Sequence, residues 1–374
     1  MPRSIAIIGG GIIGTCTAYY LSKHPKIADS TIRIFEGTSI AAGASGKAGG
    51  FLAADWHERR TASLGVLSFK LHEDLANEHG GVNKWGYRKV TTLNVEVNPV
   101  RRNKHVPDAE WLSSVSHSSK IGDTKTTGQV TPAAFTQTIA KAAEEKGVEI
   151  TIATVTELRD GADGMKEVIA VANDGEKISF QATDVVFAAG PWTGRLAKQL
   201  LGDKAGVAAN IVPSNCSTSV VLRPAEAAGM VSPHALFTSI TMNNGMTGAP
   251  EVYPRADGTV YICGGASTTE PLPEKASDVK HTPALADKLR EMAAFISPSH
   301  LGHGATTMEV AQACFRPNSD VTGAPIIGKL QPGIWIASGH QVWGIHNGPA
   351  TGKVMAELIL DGKATSAEIS QLEP

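Results

Sequence analysis

The residues with the clearest chemical meaning stand at the start of the chain, in a glycine-rich turn. Gly9, Gly11 and Gly14 form a GxGxxG pattern between a β-branched run, residues 4–8, and an apolar run with helical spacing. In such a unit one glycine makes the tight turn, one lets a pyrophosphate approach the backbone, and one lets the helix pack on the strand. The helix N-terminus also offers free N–H groups and partial positive charge to phosphate. The pattern predicts a dinucleotide site.

An acidic residue follows where ribose recognition requires one. A second predicted strand, residues 31–35, ends on Glu36, which is 22 residues after Gly14. A carboxylate at this point binds ribose hydroxyls and disfavours a 2′-phosphate. The alternative is an ordinary glycine-rich turn, and the strand–turn–helix–strand context argues against it.

Length and composition restrict the class of protein. A chain of 374 residues with 42% hydrophobic residues and 39 glycines fits two globular, turn-rich domains. The formal charge of −2 gives no reason to expect a nucleic acid or an anionic membrane as partner. No apolar run reaches the roughly 18–20 residues of a membrane span. Because the first strand starts at Ser4, no cleavable signal fits before it, and we expect a cytoplasmic protein.

The four cysteines, at positions 16, 216, 263 and 314, show neither CxxC pairing nor metal-ligand spacing. This spacing predicts reduced thiols without a disulfide framework, and no metal site.

Two further segments of small residues could bring backbone close to a flat ligand. Residues 37–50 contain almost no bulky side chain, and Ser45 and Lys47 among them suit a loop that passes a pyrophosphate and a flavin ring. A flexible linker is the alternative, which the apolar continuation over residues 51–56 disfavours. The second segment, residues 188–192, ends a predicted buried strand.

Hydrophobic periodicity predicts the elements that must position these segments. Helices are predicted over residues 64–79, 135–146, 283–296 and 353–360, and strands over residues 90–97, 148–155, 218–222, 251–254 and 259–264. A further buried strand is predicted to start at residue 184 and to end in a small-residue turn before residue 193. The polar run over residues 113–127 predicts a surface loop. Alternating patterns between about residues 206 and 304 predict a β-rich insert.

Five segments in a fixed order resemble the FAD-dependent oxidoreductases of the D-amino-acid oxidase family, which includes glycine oxidase and sarcosine oxidase. The likeness covers nearly the whole chain and is nearest to fungal members without an assigned activity. The segments are residues 9–14 with Glu36, 44–50, 188–192, 314–317 and 338–352.

The resemblance implies an α/β fold in which a Rossmann-type FAD-binding domain is interleaved with a β-sheet-rich α+β substrate domain. The FAD-binding domain would comprise residues 1–56, 128–205 and 305–374, and the substrate domain residues 57–127 and 206–304.

The resemblance also implies that FAD binds in an extended form, with Glu36 on the adenosine ribose, the Val155 backbone at adenine, and the amides of residues 344–351 at the pyrimidine edge of the flavin. The residues implied at the cofactor are Gly9, Gly11, Ile12, Ile13, Gly14, Glu36, Gly37, Ala44, Ser45, Gly46, Lys47, Gly49, Gly50, Val155, Ala189, Gly190, Trp192, Gly339, Gly344, Ile345, Gly348 and Thr351.

Arg316 is the most informative substrate-site candidate. It stands in a Phe-Arg-Pro segment that is similar to one whose arginine pairs with the substrate carboxylate in amino-acid-oxidising relatives. A guanidinium matches a carboxylate bidentately. The alternative is an arginine paired with a carboxylate inside the protein.

Glu251 and Tyr253 are candidates on one predicted strand. Glu251 stands three residues before Pro254, where a similar segment of glycine oxidase carries an active-site tyrosine. A carboxylate there would favour a cationic or additional amine on the substrate, and strand alternation puts Tyr253 on the same face. The alternative for Glu251 is a solvated strand residue.

Two more residues have two interpretations each. Cys314 is close to the position where sarcosine and fructosamine oxidases attach flavin covalently, but Phe315-Arg316-Pro317 follows it, as in relatives with non-covalent FAD. It is either the covalent link or a small buried thiol. His340 lies either beside the flavin or in the core, bonded to backbone.

Together these features predict FAD-dependent oxidation of an amino acid or a related carboxylated primary or secondary amine, by hydride transfer to flavin N5. The imine product would hydrolyse, with O₂ as acceptor and formation of H₂O₂. The strand over residues 261–264 lacks the lysine that sarcosine oxidases use for oxygen, so Lys47 would replace it or the acceptor would differ. A flavin dehydrogenase of a 2-hydroxy acid and a catalytically silent flavoprotein scaffold are the rival functions. Substrate identity, its stereochemistry and the oligomeric state are left open.

Overall fold

The structure is a computed structural model that describes residues 2–100, 105–113 and 115–374. The helices are α1 (Ile12–Lys23), α2 (Ala44–Lys47), α3 (Ala62–His79), α4 (Gly81–Trp85), α5 (Pro132–Glu144), α6 (Thr193–Leu201), α7 (Pro283–Ile296), α8 (Pro298–Leu301) and α9 (Gly344–Asp361). The strands are β1 (Ser4–Ile8), β2 (Thr31–Glu36), β3 (Phe51–Ala53), β4 (Arg88–Lys89), β5 (Thr91–Val97), β6 (Val115–Gly122), β7 (Thr127–Gln129), β8 (Glu149–Asp160), β9 (Lys166–Ala172), β10 (Lys177–Ala182), β11 (Asp184–Phe187), β12 (Ile211–Pro213), β13 (Cys216–Pro224), β14 (His234–Thr241), β15 (Thr247–Gly248), β16 (Glu251–Pro254), β17 (Val260–Ser267), β18 (Thr306–Cys314), β19 (Pro317–Ser319), β20 (Ile326–Gln331) and β21 (Ile334–Ser338).

The first large sheet has the strand order β10-β9-β8-β2-β1-β11-β21-β20. Its five central strands, β8 to β21 in that order, are parallel. Ile5 and Ile7 of β1 are fully buried, as expected for a strand covered on both faces. Because β1 has β2 on one side and β11 on the other, a crevice forms at the carboxyl ends of these strands. The predicted α/β, Rossmann-type fold is confirmed.

The second large sheet has the order β18-β13-β17-β16-β14-β5-β6, with β15 paired to β14. One face packs on α7, where Leu289 and Met292 contact a core that includes Val220 and Ile262. The opposite face carries Tyr253 and turns toward the crevice of the first sheet. The two sheets therefore enclose a space between them.

Strand pairing places residues 306–314 in the second sheet. Residues 305–374 were assigned to the FAD-binding part, but β18 pairs with β13 from Ser217↔Cys314 to Pro224↔Thr306 in the second sheet. After β18, the chain contributes β20 and β21 to the first sheet, and the division into domains stays a prediction.

The surface loop predicted over residues 113–127 is wrong for most of its length. Residues 115–122 form β6, which pairs antiparallel with β5, while residue 114 lies outside the described residues. β6 is an edge strand whose exposed side chains are mostly polar, so its sequence resembles a loop.

The last helix begins nine residues before the predicted start at residue 353. The first part of α9 is rich in glycine and contains Pro349, which disfavours a helix on local propensity. Tertiary packing requires these small residues: a Cβ at Gly348 would lie 2.5 Å from Ile12 Cγ1, and one at Gly352 would lie 2.4 Å from the Cys16 carbonyl carbon. α9 thus packs closely on α1.

In the part of the chain that the structure describes, we find no helix that is both long and apolar enough to cross a bilayer.

Candidate functional site

A cavity of about 710 Å³ lies along the carboxyl ends of the parallel strands and reaches the inner face of the second sheet. Glu36 and Val155 line it on the side of the first sheet, and Glu251, Tyr253 and Arg316 line it at the second. A crevice at this topological position is where open α/β sheets bind their ligands.

The glycine turn brings the backbone of three segments together at the cavity. Gly9 has φ +118°, and a Cβ there would lie 2.4 Å from the Ala188 carbonyl oxygen, so only glycine fits. Ser45 faces Gly11, and its hydroxyl accepts a hydrogen bond of 2.9 Å from the Ile12 amide at the start of α1. A Cβ at Gly14 would lie 2.0 Å from the Gly9 carbonyl oxygen, so Gly14 serves the packing of α1 on the turn.

The Glu36 carboxylate is held at the cavity by two backbone donors. The amides of Gly10 and Thr38 donate to its two oxygens at 2.7 and 2.9 Å. Burial raises the pKa of Glu36, and these hydrogen bonds act in the opposite direction. Each carboxylate oxygen keeps acceptor capacity for a further donor such as a ribose hydroxyl.

Most residues predicted to hold the cofactor lie in the cavity wall. They are Gly9, Gly11, Ile12, Ile13, Glu36, Gly37, Ala44, Ser45, Gly49, Gly50, Val155, Ala189, Gly190, Trp192, Gly344 and Ile345. The others lie outside the wall: Gly14, Gly46, Lys47, Gly339, Gly348 and Thr351. Their direct contact with a cofactor stays a prediction.

The wall fits an extended dinucleotide. Backbone is exposed to the cavity at Gly9 and Gly11, next to the start of α1, and a carboxylate stands at the end of β2. Gly190 has φ +53°, and a Cβ added there would meet no atom within 4 Å, so this backbone borders open space. Within the described ranges, no group of three or more His, Cys, Asp or Glu side chains could hold a metal ion.

Arg316 places in the wall a guanidinium that has no partner among the described residues. Its backbone is fixed, because its amide donates to Ser214 Oγ at 2.9 Å and its carbonyl accepts from the Ser214 amide at 2.8 Å. Within the described residues no carboxylate lies within 4.0 Å of its guanidinium, although Arg195 in the same wall pairs with Glu274. The structure therefore does not support the alternative of an internal ion pair for Arg316.

Glu251 and Tyr253 share the cavity face of β16 and contact each other. The Tyr253 hydroxyl donates to Glu251 Oε2 at 2.6 Å, and burial raises the pKa of Tyr253 well above its usual value. Glu251 is half-buried in the wall. Across residues 2–100, 105–113 and 115–374, no basic nitrogen lies within 4.0 Å of its carboxylate.

Three aromatic residues that the sequence analysis did not single out lie beside Tyr253. Phe51, Trp56 and Phe237 line the same part of the cavity and contact each other with ring centroids 5.1 to 5.4 Å apart. Phe237 lies on β14, which was not predicted. Alternation along residues 234–241 could have revealed that strand.

His340 lies in the wall and is buried. Its Nε2 is 3.0 Å from the Thr351 hydroxyl, while its Nδ1 is buried without a hydrogen-bond partner in the described structure. Burial lowers the pKa of His340 to about 3, so the ring is neutral near pH 7. A cavity position is thus favoured over the predicted alternative of a histidine bonded to backbone.

Cys314 and Lys47 lie close enough to interact electrostatically. Cys314 ends β18 in the cavity wall, and burial raises the pKa of its thiol to about 11. Lys47 lies outside the wall. Its carbonyl accepts hydrogen bonds from the Tyr261 hydroxyl at 3.0 Å and from Gln312 at 3.3 Å, and burial lowers the pKa of its ammonium.

Comparison with known proteins gives consistent matches over the full length. Residues 4–358 match the family described as DAO, FAD dependent oxidoreductase. The protein C1F5.03c of Schizosaccharomyces pombe, an oxidoreductase by name, is 37% identical over 391 residues, which cover 100% of this chain and 98% of that protein.

Solved structures match as well. Glycine oxidase from Geobacillus kaustophilus has a TM-score of 0.76 at 20% identity, with 99% of this chain and 98% of that chain covered. L-Proline dehydrogenase from P. horikoshii has a TM-score of 0.74 at 19% identity, with 100% and 98% covered. These two likenesses establish the fold, and both sheets fall within the matched residues.

Proposed function

The chain belongs to the DAO family of FAD-dependent oxidoreductases, and on that premise we propose that it oxidises an amino acid or a related carboxylated primary or secondary amine. The observation that carries the proposal is the Arg316 guanidinium, which lines the cavity without a protein carboxylate as partner among the described residues. An arginine left in this state can bind a carboxylate bidentately. The two solved relatives are named for glycine and proline, which are both carboxylated amines.

The residues of the chain bind and orient the substrate. Arg316 would hold the carboxylate of the substrate. When bound, FAD supplies the hydride acceptor, N5 of the flavin. His340 is neutral and buried, so it places no positive charge beside the reacting carbon. The amine loses a hydride and a proton, and the imine product hydrolyses in water.

For the electron acceptor we propose O₂, which gives one H₂O₂ per amine oxidised. Burial lowers the pKa of the Lys47 ammonium, which carries no hydrogen bond or ion pair to another described residue. Lys47 is therefore our candidate for the lysine that assists the reaction with oxygen, because β17 carries none. The rival acceptor is a molecule other than O₂, as in a dehydrogenase of an amine or a 2-hydroxy acid, which the same carboxylate anchor would serve.

The test is an anaerobic screen in which carboxylated amines and 2-hydroxy acids are mixed with the FAD-loaded protein and the flavin absorbance is followed. Bleaching by an amine, followed by stoichiometric peroxide when air is admitted, is the expected result. Arg316→Met should lower kcat/KM about 10²–10³-fold while FAD stays bound, because a charge-assisted bidentate pair is lost. Arg223→Met is the matched control, since Arg223 pairs with Glu309 outside the cavity. Bleaching by hydroxy acids alone would favour the rival activity, and no bleaching by any compound would favour the scaffold.

A further inference from the structure

We propose that the substrate carries a second nitrogen, which stays positively charged and binds between Glu251 and an aromatic box. The aromatic box consists of Phe51, Trp56, Phe237 and Tyr253. This inference rests on the proposed oxidation of a carboxylated amine and specifies its substrate class as a diamino carboxylate.

The four rings of the aromatic box pack against one another and form one part of the cavity wall. Phe51 lies 5.1 Å from Trp56, 5.4 Å from Phe237 and 5.9 Å from Tyr253, measured between ring centroids. Trp56 and Phe237 are 5.2 Å apart. Phe51, Trp56 and Phe237 are only half-buried, although large apolar rings favour full burial, so part of their surface faces the cavity.

No described lysine or arginine occupies the aromatic box. Cations of the chain lie over other rings, for example Arg255 over Tyr261 at 5.0 Å and Lys89 over Phe69 at 4.0 Å. Faces of tryptophan, tyrosine and phenylalanine attract cations, and several faces together form the cages that bind alkylated ammonium groups. Tyr253 is stacked against Phe51 and Tyr261, so the ring surface left for a ligand belongs to the half-buried Phe51, Trp56 and Phe237.

Glu251 adds a negative charge that no described basic side chain neutralises. It pairs with Phe237 across β14 and β16, and its described hydrogen bonds come from Tyr253 and, at 3.7 Å, from the Cys263 thiol. Both donors are neutral, since burial raises their pKa values well above the usual range. A half-buried carboxylate without a counter-ion favours a cationic ligand.

The nitrogen held here is not the one that is oxidised. A neighbouring carboxylate and π faces stabilise the charged form of an amine. Hydride transfer from the adjacent carbon needs the lone pair of a neutral amine. One nitrogen cannot satisfy both conditions, so the substrate must carry two.

The register of the second sheet places Glu251 and the segment that leads to Arg316 three strands apart. Glu251 pairs with Cys263, Cys263 with Ser219, and Ser219 with Gln312, which stands four residues before Arg316. Three strand spacings of about 4.8 Å separate Glu251 from Gln312 by about 14 Å between Cα atoms. Several bonds should therefore separate the carboxylate of the substrate from its second nitrogen.

The test is the binding of two dead-end ligands to the FAD-loaded protein, measured by the flavin difference spectrum and by calorimetry. The ligands are 4-(trimethylammonio)butanoate and 5,5-dimethylhexanoate, which have the same shape and carboxylate but differ in whether the head group is a cation. Neither has an amine lone pair, so binding is measured without turnover. We expect the cationic ligand to bind about tenfold more tightly or better.

Two variants test whether Glu251 and the aromatic box cause the preference for the cationic ligand. Glu251→Gln, which keeps the shape of the side chain, and Phe237→Leu should each reduce the affinity ratio severalfold, while the affinity for the neutral ligand changes little. Equal affinities for the two ligands, tighter binding of the neutral one, or no detectable binding of either by the parent protein would overturn the proposal. A failure of the amine oxidation itself would show separately, as a flavin that no amine bleaches anaerobically while the preference for the cation persists.

Discussion

The Ser68 hydroxyl of α3 stands inside the hydrogen-bond ladder of α9, where it donates to the His346 carbonyl and accepts from the Ala350 amide at 3.2 Å. Within the same turns, Pro349 has no N–H to donate to the Ile345 carbonyl, so this carbonyl needs another donor. His72 Nε2, also on α3, donates to that carbonyl and to the His346 carbonyl, both at 3.1 Å. Side chains of α3 therefore complete the first turns of α9, which border the cofactor cavity.

Ser68→Ala should lower the free energy of unfolding by about 1–3 kcal/mol, because a buried amide and a buried carbonyl lose their partner. FAD should also dissociate more readily, since the start of α9 lies in the cavity wall. Urea unfolding and FAD titration of the apoprotein measure the two effects. Asn77→Ala is the control, being exposed on the same helix. Unfolding at the same urea concentration as the parent would contradict the prediction.

Because α9 packs closely on α1, we expect a glycine-to-alanine substitution there to change the stability in the direction opposite to that given by helix propensity. Replacing glycine by alanine inside a helix normally stabilises it by about 1 kcal/mol. Gly352→Ala should instead destabilise the protein, because the new methyl group would lie 2.4 Å from backbone carbon of Cys16. Gly348→Ala should cost less, since it meets the Ile12 side chain, which can move. Thermal unfolding of both variants, with the neighbouring Lys353→Ala as control, checks the order; any gain in stability for Gly352→Ala would refute it.

Local patterns predicted those elements whose sequence and burial agree. β1 and α7 have the boundaries that periodicity gave, because each buries a regular apolar face. β6 was missed because an edge strand needs few apolar residues, and the start of α9 was missed because its glycines serve contact with α1. A sequence pattern indicates which residues of one element are buried. It says little about how closely two elements pack against each other.

In the candidate site, too, some residues could be recognised from the sequence and others could not. The glycine turn and Glu36 were recognisable because their spacing lies within one strand–turn–helix–strand unit. The aromatic box was not, because Phe51, Phe237 and Tyr253 come from three strands far apart in the chain. Only the pairing of β14 with β16, and the approach of β3, brings these rings together.

Cys314 should not be bonded covalently to the flavin. Burial raises the pKa of its thiol to about 11, and the thiolate, which is the reactive form, is scarce at neutral pH. After acid precipitation the yellow colour should stay in the supernatant, and Cys314→Ser should retain FAD as the parent does. Colour that stays in the pellet of the parent but not of the variant would establish the covalent link instead.

Buried histidines should make the protein less stable as the pH falls. Burial lowers the pKa of His72 to about 4 from 6.5, so below pH 6.5 the unfolded chain binds a proton that the native state excludes until about pH 4. The free energy of unfolding should fall through this window, by about 3 kcal/mol for His72 between pH 7 and pH 4.

His340 and His346 act in the same direction, because burial lowers both pKa values. His72→Gln keeps a side-chain N–H donor but does not titrate, so its stability should depend less steeply on pH than that of the parent. His117→Gln, the same substitution at an exposed position, is the control. Urea unfolding at several pH values measures the slope, and equal slopes for His72→Gln and the parent would show that His72 is already protonated in the native state or that the unfolded chain does not take up this proton.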